Sequence, residues 1–237
     1  MNMRIQRMIV TALGAGLLLW GGAAFGQSGT CTPITSVPTT ITSPGVFCLT
    51  GNLRYTSQTG HAIGVDVSDV LIDFNGYRLL YDGPAGGSAT GVRVRGADKN
   101  VTIRNGLISD FNAGIDSTAS ATIVEDMRLS DITYGISVTG EAAVIRRNYC
   151  RLNSACIATY GNNPMVVDND IVGQTSGGGS GTGITMSGQN GLVAGNRLTR
   201  LAFGIVYGLS GTFRYRDNLT SNVTVPFGGG TDAGNNN

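Results

Sequence analysis

A Gly followed by Val or Ile, once replaced by Cys followed by Ile, recurs seven times: Gly64-Val65, Gly91-Val92, Gly114-Ile115, Gly135-Ile136, Cys156-Ile157, Gly183-Ile184 and Gly204-Ile205. The successive spacings are 27, 23, 21, 21, 27 and 21 residues. A unit of about 21 residues with two insertions of about six predicts a solenoid, whose repeats stack on their sequence neighbours and bury one continuous core.

Each unit reads as three short strands. In Gly135-Ile136-Ser137-Val138-Thr139, apolar and polar residues alternate, so Ile136 and Val138 face in while Ser137 and Thr139 face out. Ala143-Val144-Ile145 begins a second strand and Tyr149-Cys150-Arg151-Leu152 a third. Between these two strands stands an asparagine: Asn148, Asn169 and Asn196 each follow their marker by 13 residues. Asn tolerates the left-handed conformation and its amide bonds to backbone, so stacked copies form a ladder. Asp217 or Asn218 continues the series, and Asn105 lies one residue out of phase.

Two inward columns follow. One is Val65, Val92, Ile115, Ile136, Ile157, Ile184 and Ile205; the other is Leu107, Leu129, Cys150, Ile171, Leu198 and Leu219. Like residues at one phase imply parallel strands about 4.8 Å apart in successive coils. Helical repeats are disfavoured by the period of two, the β-branched residues and a Gly inside every candidate helix. The expected fold is an all-β, single-stranded parallel β-helix of about seven to eight coils, three short strands to a coil.

Residues 1–26 read as a cleaved export signal. Arg4 and Arg7 open it, an apolar run from Met8 to Trp20 follows, and Ala24-Phe25-Gly26 precedes a cut before Gln27. The run is short of the ~20 residues a membrane span needs, so no transmembrane anchor is expected. Cleavage removes two of 16 basic residues and none of 15 acidic ones, leaving 14 against 15. With Lys99 the single lysine, no basic stripe suggests nucleic acid as a partner. The remaining domain plan is a cap segment at 27–59, the β-helix at 60–227 and a flexible tail at 228–237.

Four cysteines in an exported chain point to an oxidising compartment, periplasmic or extracellular. Cys31 and Cys48 bracket the cap and are expected to staple it. Cys150 and Cys156 either bridge adjacent coils or remain two buried thiols.

Three strands to a coil with asparagines at the second turn resemble the right-handed parallel β-helix proteins of the pectin-lyase-like superfamily, over about Gly60 to Pro226. The start, Ile41-Thr42-Ser43-Pro44-Gly45-Val46-Phe47-Cys48-Leu49-Thr50, resembles secreted bacterial members without an assigned role. The resemblance implies a ligand lying along the outer face of the first strand of each coil, here the strand carrying the marker. Both insertions, Asp82 to Ala89 and Gly173 to Thr182, precede that strand and would flank a trough over coils two to five, roughly 19 Å long.

The outward columns of this face read Asp66, Arg93, Asp116, Ser137, Ala158, Thr185, Val206 and Ser68, Arg95, Thr118, Thr139, Tyr160, Ser187, Gly208. Arg93, Arg95, Asp116 and Tyr160 are the candidate ligand-binding residues: arginines hold uronate or sulfate, and a tyrosine ring stacks on sugar. The alternating Asp66, Arg93 and Asp116 also fit a plain surface ion-pair ladder. If the chain is an enzyme, a polysaccharide lyase or glycoside hydrolase, Arg93 or Arg95 with Asp66 and Asp116 would carry catalysis. Calcium-dependent lyases of the superfamily cluster several carboxylates, and two Asp lend calcium only slight support as a cofactor. The hydrolases' Gly-His-Gly motif is not matched by Gly60-His61-Ala62, which contains the one histidine. Asp168 and Asp170 form a carboxylate pair at the second turn, whose place away from the trough argues against a hydrolase pair; they are expected to make Asx turns or to pair with Arg146 and Arg147 of the coil below. The readings are a glycan-contacting module, an enzyme, or a structural envelope module, and the sequence leaves the oligomeric state open.

Overall fold

A computed structural model describes residues 31–96, 100–174, 181–208 and 211–237. The expected export signal, Lys99 and most of the second insertion, residues 175–180, lie outside the described residues. Every described strand pairing is parallel, and strands join neighbours one coil away, which is the topology of a β-helix. Three stacked sheets result. The marker sheet holds Thr39–Ile41, His61–Val65, Thr90–Val94, Ala113–Ser117 and Thr182–Met186, with the ends of Ile123–Val138, Tyr149–Thr159, Arg197–Tyr207 and Leu219–Gly228. A second sheet follows it in each coil, then a third. No described helix is long and apolar enough to cross a membrane.

Val92, Ile115, Ile136, Ile157, Ile184 and Ile205 stack inside the marker sheet, each at most 1% exposed. Each such side chain withdrawn from water contributes about 1.5–3 kcal/mol, so the column is a large part of the fold's stability. The marker glycines sit where adjacent coils approach closely. A Cβ on Gly114 would stand 2.7 Å from the carbonyl oxygen of Gly135 in the next coil.

The first coil departs from the expected phase. Ile63, not Val65, faces Val92, and Val65 faces Val94. Ala62, fully buried, precedes that inward residue as a Gly does in the later coils. The match of Gly64-Val65 to the repeat is therefore a coincidence displaced by two residues. The third-sheet column is also corrected at both ends: Leu129 faces Ile108 rather than Leu107, and Leu198 faces Thr220 rather than Leu219. Leu219 instead points outward, 51% exposed.

The asparagine ladder forms at the corner between second and third sheets. The main-chain N–H and side-chain Nδ2 of Asn148 both donate to Asn169 Oδ1 at 3.0 Å, and Asn169 does the same to Asn196 at 2.9 and 3.0 Å. Asn196 continues to Asn218 and Asn218 to Asn236, each through the same pair of bonds. Asn218 rather than Asp217 therefore carries the series. The left-handed residues are not the ladder asparagines but their predecessors, Arg147, Asp168, Gly195, Asp217 and Asn235. Asn105 and Asp126 share that conformation, so Asn105 belongs to the left-handed column and not to the ladder. Each rung thus divides the work: one residue turns the chain, and the next uses its amide to satisfy buried backbone.

The segment expected as a cap is itself coiled, stacking ahead of the coil that carries His61–Val65. Thr32–Ile34 pairs with Gly45–Leu49, and the latter pairs with Val70–Asp73 of the next coil. A disulfide joins Cys31 to Cys48 with Cα atoms 5.7 Å apart, fastening the edge strand. A second disulfide joins Cys150 to Cys156, Cα atoms 6.2 Å apart. Both of its cysteines lie in one continuous strand, Tyr149–Thr159, so the bridge spans one corner rather than tying adjacent coils. The segment expected as a flexible tail is built into the last coil: Thr231–Asp232 pairs with Arg214–Arg216, and Asn236 ends the ladder. Stacked rings of Tyr207, Tyr215 and Phe227, with centroids 5.8 and 4.8 Å apart, close the core there.

Candidate functional site

The outer face of the marker sheet divides into a charged end and an uncharged remainder. With the first coil in its true phase, Gly64 stands opposite Arg93, and Arg93 opposite Asp116. Asp66 moves into the next column beside Arg95, since Arg95 N–H donates to Val65 O just ahead of it. Ser68 therefore lies beyond the column expected for it.

Asp116 bonds diagonally. It accepts from Arg95 at 2.9 Å rather than from Arg93 directly across the ladder. Both partners are about one-third exposed, so solvent screens much of the attraction. Arg93 is left without an ion pair among the described residues, and its Nε is buried without a hydrogen-bond partner. His61 sits beside it, with Nδ1 likewise buried and unbonded. Burial, and then the nearby Arg93 charge, hold the imidazole below its ordinary pKa, with Asp66 opposing. His61 is therefore neutral at pH 7.

The first insertion stands at the rim of this charged end. Arg54 pairs with Asp82 at 2.9 Å, Tyr81 donates to Pro84 O at 2.8 Å and Ser88 N–H donates to Gln58 O at 2.8 Å. A groove behind it is lined by Asp82, Asp110, Asn112, Asp131 and Thr133. Asp131 is held by Arg151 at 3.0 Å. Among the described residues no group of three or more His, Cys, Asp or Glu is arranged to hold a metal ion.

Beyond Asp116 the described face carries no charge. Its outward positions are Ser137, Ala158, Thr185 and Val206 in one column and Thr139, Tyr160 and Ser187 in the next. A third column, at the start of each strand, was missed from sequence: Tyr134, Ala155, Thr182 and Phe203. Tyr134 is 51% exposed, Tyr160 50% and Phe203 45%. A shallow hollow between Tyr134 and Tyr160 has Ser137, Ala155, Ala158 and Thr185 as its floor. The overlooked signal was simple: Tyr134 and Phe203 directly precede the marker glycines Gly135 and Gly204.

Asp168 and Asp170 do not meet Arg146 and Arg147. Asp170 pairs with Arg197 of the following coil, while Arg146 pairs with Glu125, and Arg147 with Glu125 and Asp126, of the preceding one. Coil-to-coil register, which sets the pairing, places an acid below each of these arginines. Asp168 is the left-handed corner residue of its coil.

Residues 90–237, 148 of the 237, match the family model described as the right handed beta helix region. No curated protein and no solved structure matches the chain.

Proposed function

We propose that this chain, which belongs to the right-handed β-helix family, is an exported module that holds a glycan along the outer face of its marker sheet. Its two disulfides fit an oxidising environment, periplasmic or extracellular. The observation carrying the reading is the trio of exposed rings, Tyr134, Tyr160 and Phe203, on the uncharged part of that face. An aromatic face matches the apolar C–H face of a pyranose, and the tyrosines keep a polar tip for its hydroxyls. Ser137, Thr139, Thr185 and Ser187 supply hydroxyls between the rings for the sugar's own hydroxyls. Arg93, lacking an ion pair among the described residues, is positioned for an anionic substituent at the N-terminal end.

The test is binding to immobilised neutral and acidic polysaccharides, with and without calcium. The double variant Tyr134→Ala/Tyr160→Ala is expected to lose at least about tenfold in affinity, equivalent to ~1.4 kcal/mol. Absence of binding to every glycan overturns the reading and leaves a structural envelope module.

One observation favours a second reading as a polysaccharide lyase or glycoside hydrolase. Neutral His61 beside Arg93 places a proton acceptor next to a cation. Unsaturated products absorbing in the ultraviolet, or new reducing ends, would support it, and no turnover on substrates that bind would exclude it.

A further inference from the structure

We infer that the marker face takes a neutral, linear pyranose chain lying parallel to the coil axis, with one aromatic ring under every third sugar. This rests on the reading of that face as a glycan surface and adds which chain it takes and in what register. The column at the start of the marker strands carries the argument. Its rings are His61, Tyr134 and Phe203; Thr90 and Ala113 stand between the first two, Ala155 and Thr182 between the second and third. Each position pairs directly with the next, so the column is continuous and a ring recurs every third coil.

Three coils at about 4.8 Å set neighbouring rings roughly 14 Å apart and the outer two roughly 29 Å apart. Tyr134 and Phe203 stand out into solvent, whereas the four residues between the rings are small and half-buried, so a chain resting on the rings passes over them. His61 reaches this line with its ring laid across Gly64, where a Cβ would stand 2.6 Å from Nε2 and 3.0 Å from Cδ2. The glycine is what leaves the imidazole its seat.

The spacing selects the chain. A straight run of pyranoses joined by equatorial 1,4 bonds advances per sugar by nearly one coil spacing. When such a chain winds with three sugars to a turn, as β-1,4-linked xylose does, every third sugar turns the same face to the sheet, and each ring meets an equivalent C–H face. Charge narrows the choice further. From the coil of Tyr134 to that of Phe203 the outward positions of this face carry no charge, so an acidic chain would lay carboxylates over the sheet with no cation to meet them. The hydroxyls of Ser137 and Thr185 in the adjoining column suit a neutral one.

The experiment is calorimetric titration of the purified protein with β-1,4-linked xylo-oligosaccharides of two to eight sugars. Four sugars are needed to bridge two rings and seven to bridge three, so affinity is expected to climb in two steps, at four and at seven, each about three- to tenfold. Tyr134→Ala is expected to remove the step at four, because the rings that remain are six coils apart, and Phe203→Ala to remove only the step at seven. Tyr134→Phe keeps the ring and both steps. Tyr160→Ala, in a different column, is expected to lower affinity at every length without moving the steps. Oligogalacturonates of equal length, also three sugars to a turn but with a carboxylate on each, are expected to bind at least about tenfold more weakly. Affinity that rises evenly with length, steps that survive Tyr134→Ala, or acidic chains bound as well as neutral ones would overturn the inference and leave the glycan reading standing. So would binding to other polysaccharides with none to these oligosaccharides. A protein that binds no polysaccharide at all overturns both.

Discussion

The corner between the second and third sheets is built in two ways along one molecule. From Asn148 to Asn236 its interior is a ladder of amides, each linked to the next coil by two hydrogen bonds. From Phe74 to Met127 it is apolar: Phe74 and Met127 are fully buried, and Gly106 lies between their coils. A Cβ on Gly106 would stand 2.1 Å from Phe74 Cβ, so the ring occupies the space a side chain there would need. The first coil makes room by widening its turn. Four residues separate Asp73 from Arg78, against two between Arg104 and Leu107, their partners in the next coil. The two styles meet where Met127 N–H donates to Asn148 Oδ1 at 3.0 Å. Both keep a left-handed residue on the outside, as at Asn105, Asp126 and Arg147. The backbone turn is thus independent of what fills it. Directional hydrogen bonds and shape-matched apolar packing are interchangeable solutions to one buried corner, provided neighbouring coils agree.

Breaking the amide ladder is expected to have the largest effect. Asn169→Ala strips the acceptor from both Asn148 donors and leaves the carbonyl of Ile145 without its side-chain donor. Two or three orphaned buried groups at about 1–3 kcal/mol each predict a loss of about 4–5 kcal/mol, read from urea unfolding. A loss below that of Phe74→Ala would show that the ladder adds little to ordinary strand pairing.

On the apolar side, Phe74→Ala is expected to cost about 3 kcal/mol through lost burial and the cavity left. Gly106→Val should cost about 2–3 kcal/mol by overpacking against the same ring. Combined, the two should relieve only the part of the clash that comes from the ring, with Cγ at 2.5 Å and Cδ1 at 2.7 Å, because alanine keeps the Phe74 Cβ that stands 2.1 Å away. A cost well below the sum would show that the ring, and not Cβ, is the main obstacle.

Met127→Asn sharpens the comparison, since it asks whether the ladder can grow by one rung. The introduced amide would offer its Oδ1 to the Gly106 N–H, and a change within about 1 kcal/mol is expected. A much larger loss would mean the apolar coils cannot accept an amide.

The smallest effects are electrostatic. Hydrogen bonding by Arg147 and Arg216 holds the carboxyls of Asp126 and Asp217 below the ordinary range. A depressed carboxyl stabilises the fold above its unfolded pKa and loses that contribution as pH falls through the folded value. Asn replacement at either position should flatten the acid limb of a melting-temperature profile slightly. His61 works at higher pH by the same sign: its depressed pKa means stability falls as pH drops below about 6.5. His61→Gln should remove that slope, and an unchanged profile would place the imidazole in water.

The middle of the chain was legible because its period is regular. From Gly91 to Gly204 the marker column, its two outward columns and the phase of Asn148, Asn169 and Asn196 follow from counting. Both ends were harder. Turn widening by two residues shifts the first coil, so counting lands on Val65 where Ile63 is the inward residue, and on Asp66 where Gly64 stands opposite Arg93. The low-complexity end reads as a tail because glycine and asparagine carry no strand signal, yet its backbone pairs with the preceding coil. In the candidate site, Tyr160 follows from alternation, while Tyr134 and Phe203 fall outside columns begun after the marker.

Sequence by itself determined the coil length, the three strands to a coil and the parallel stack, because one inward residue repeated at constant phase can be buried only against its own kind. It also determined which asparagines could stack. Only the tertiary structure decided that Arg95 rather than Arg93 takes Asp116, that Asp170 pairs forward to Arg197, and that three rings stand clear on the marker sheet. Those outcomes depend on distances between side chains about twenty or more residues apart, and a shift of one or two residues at any corner changes which of them meet.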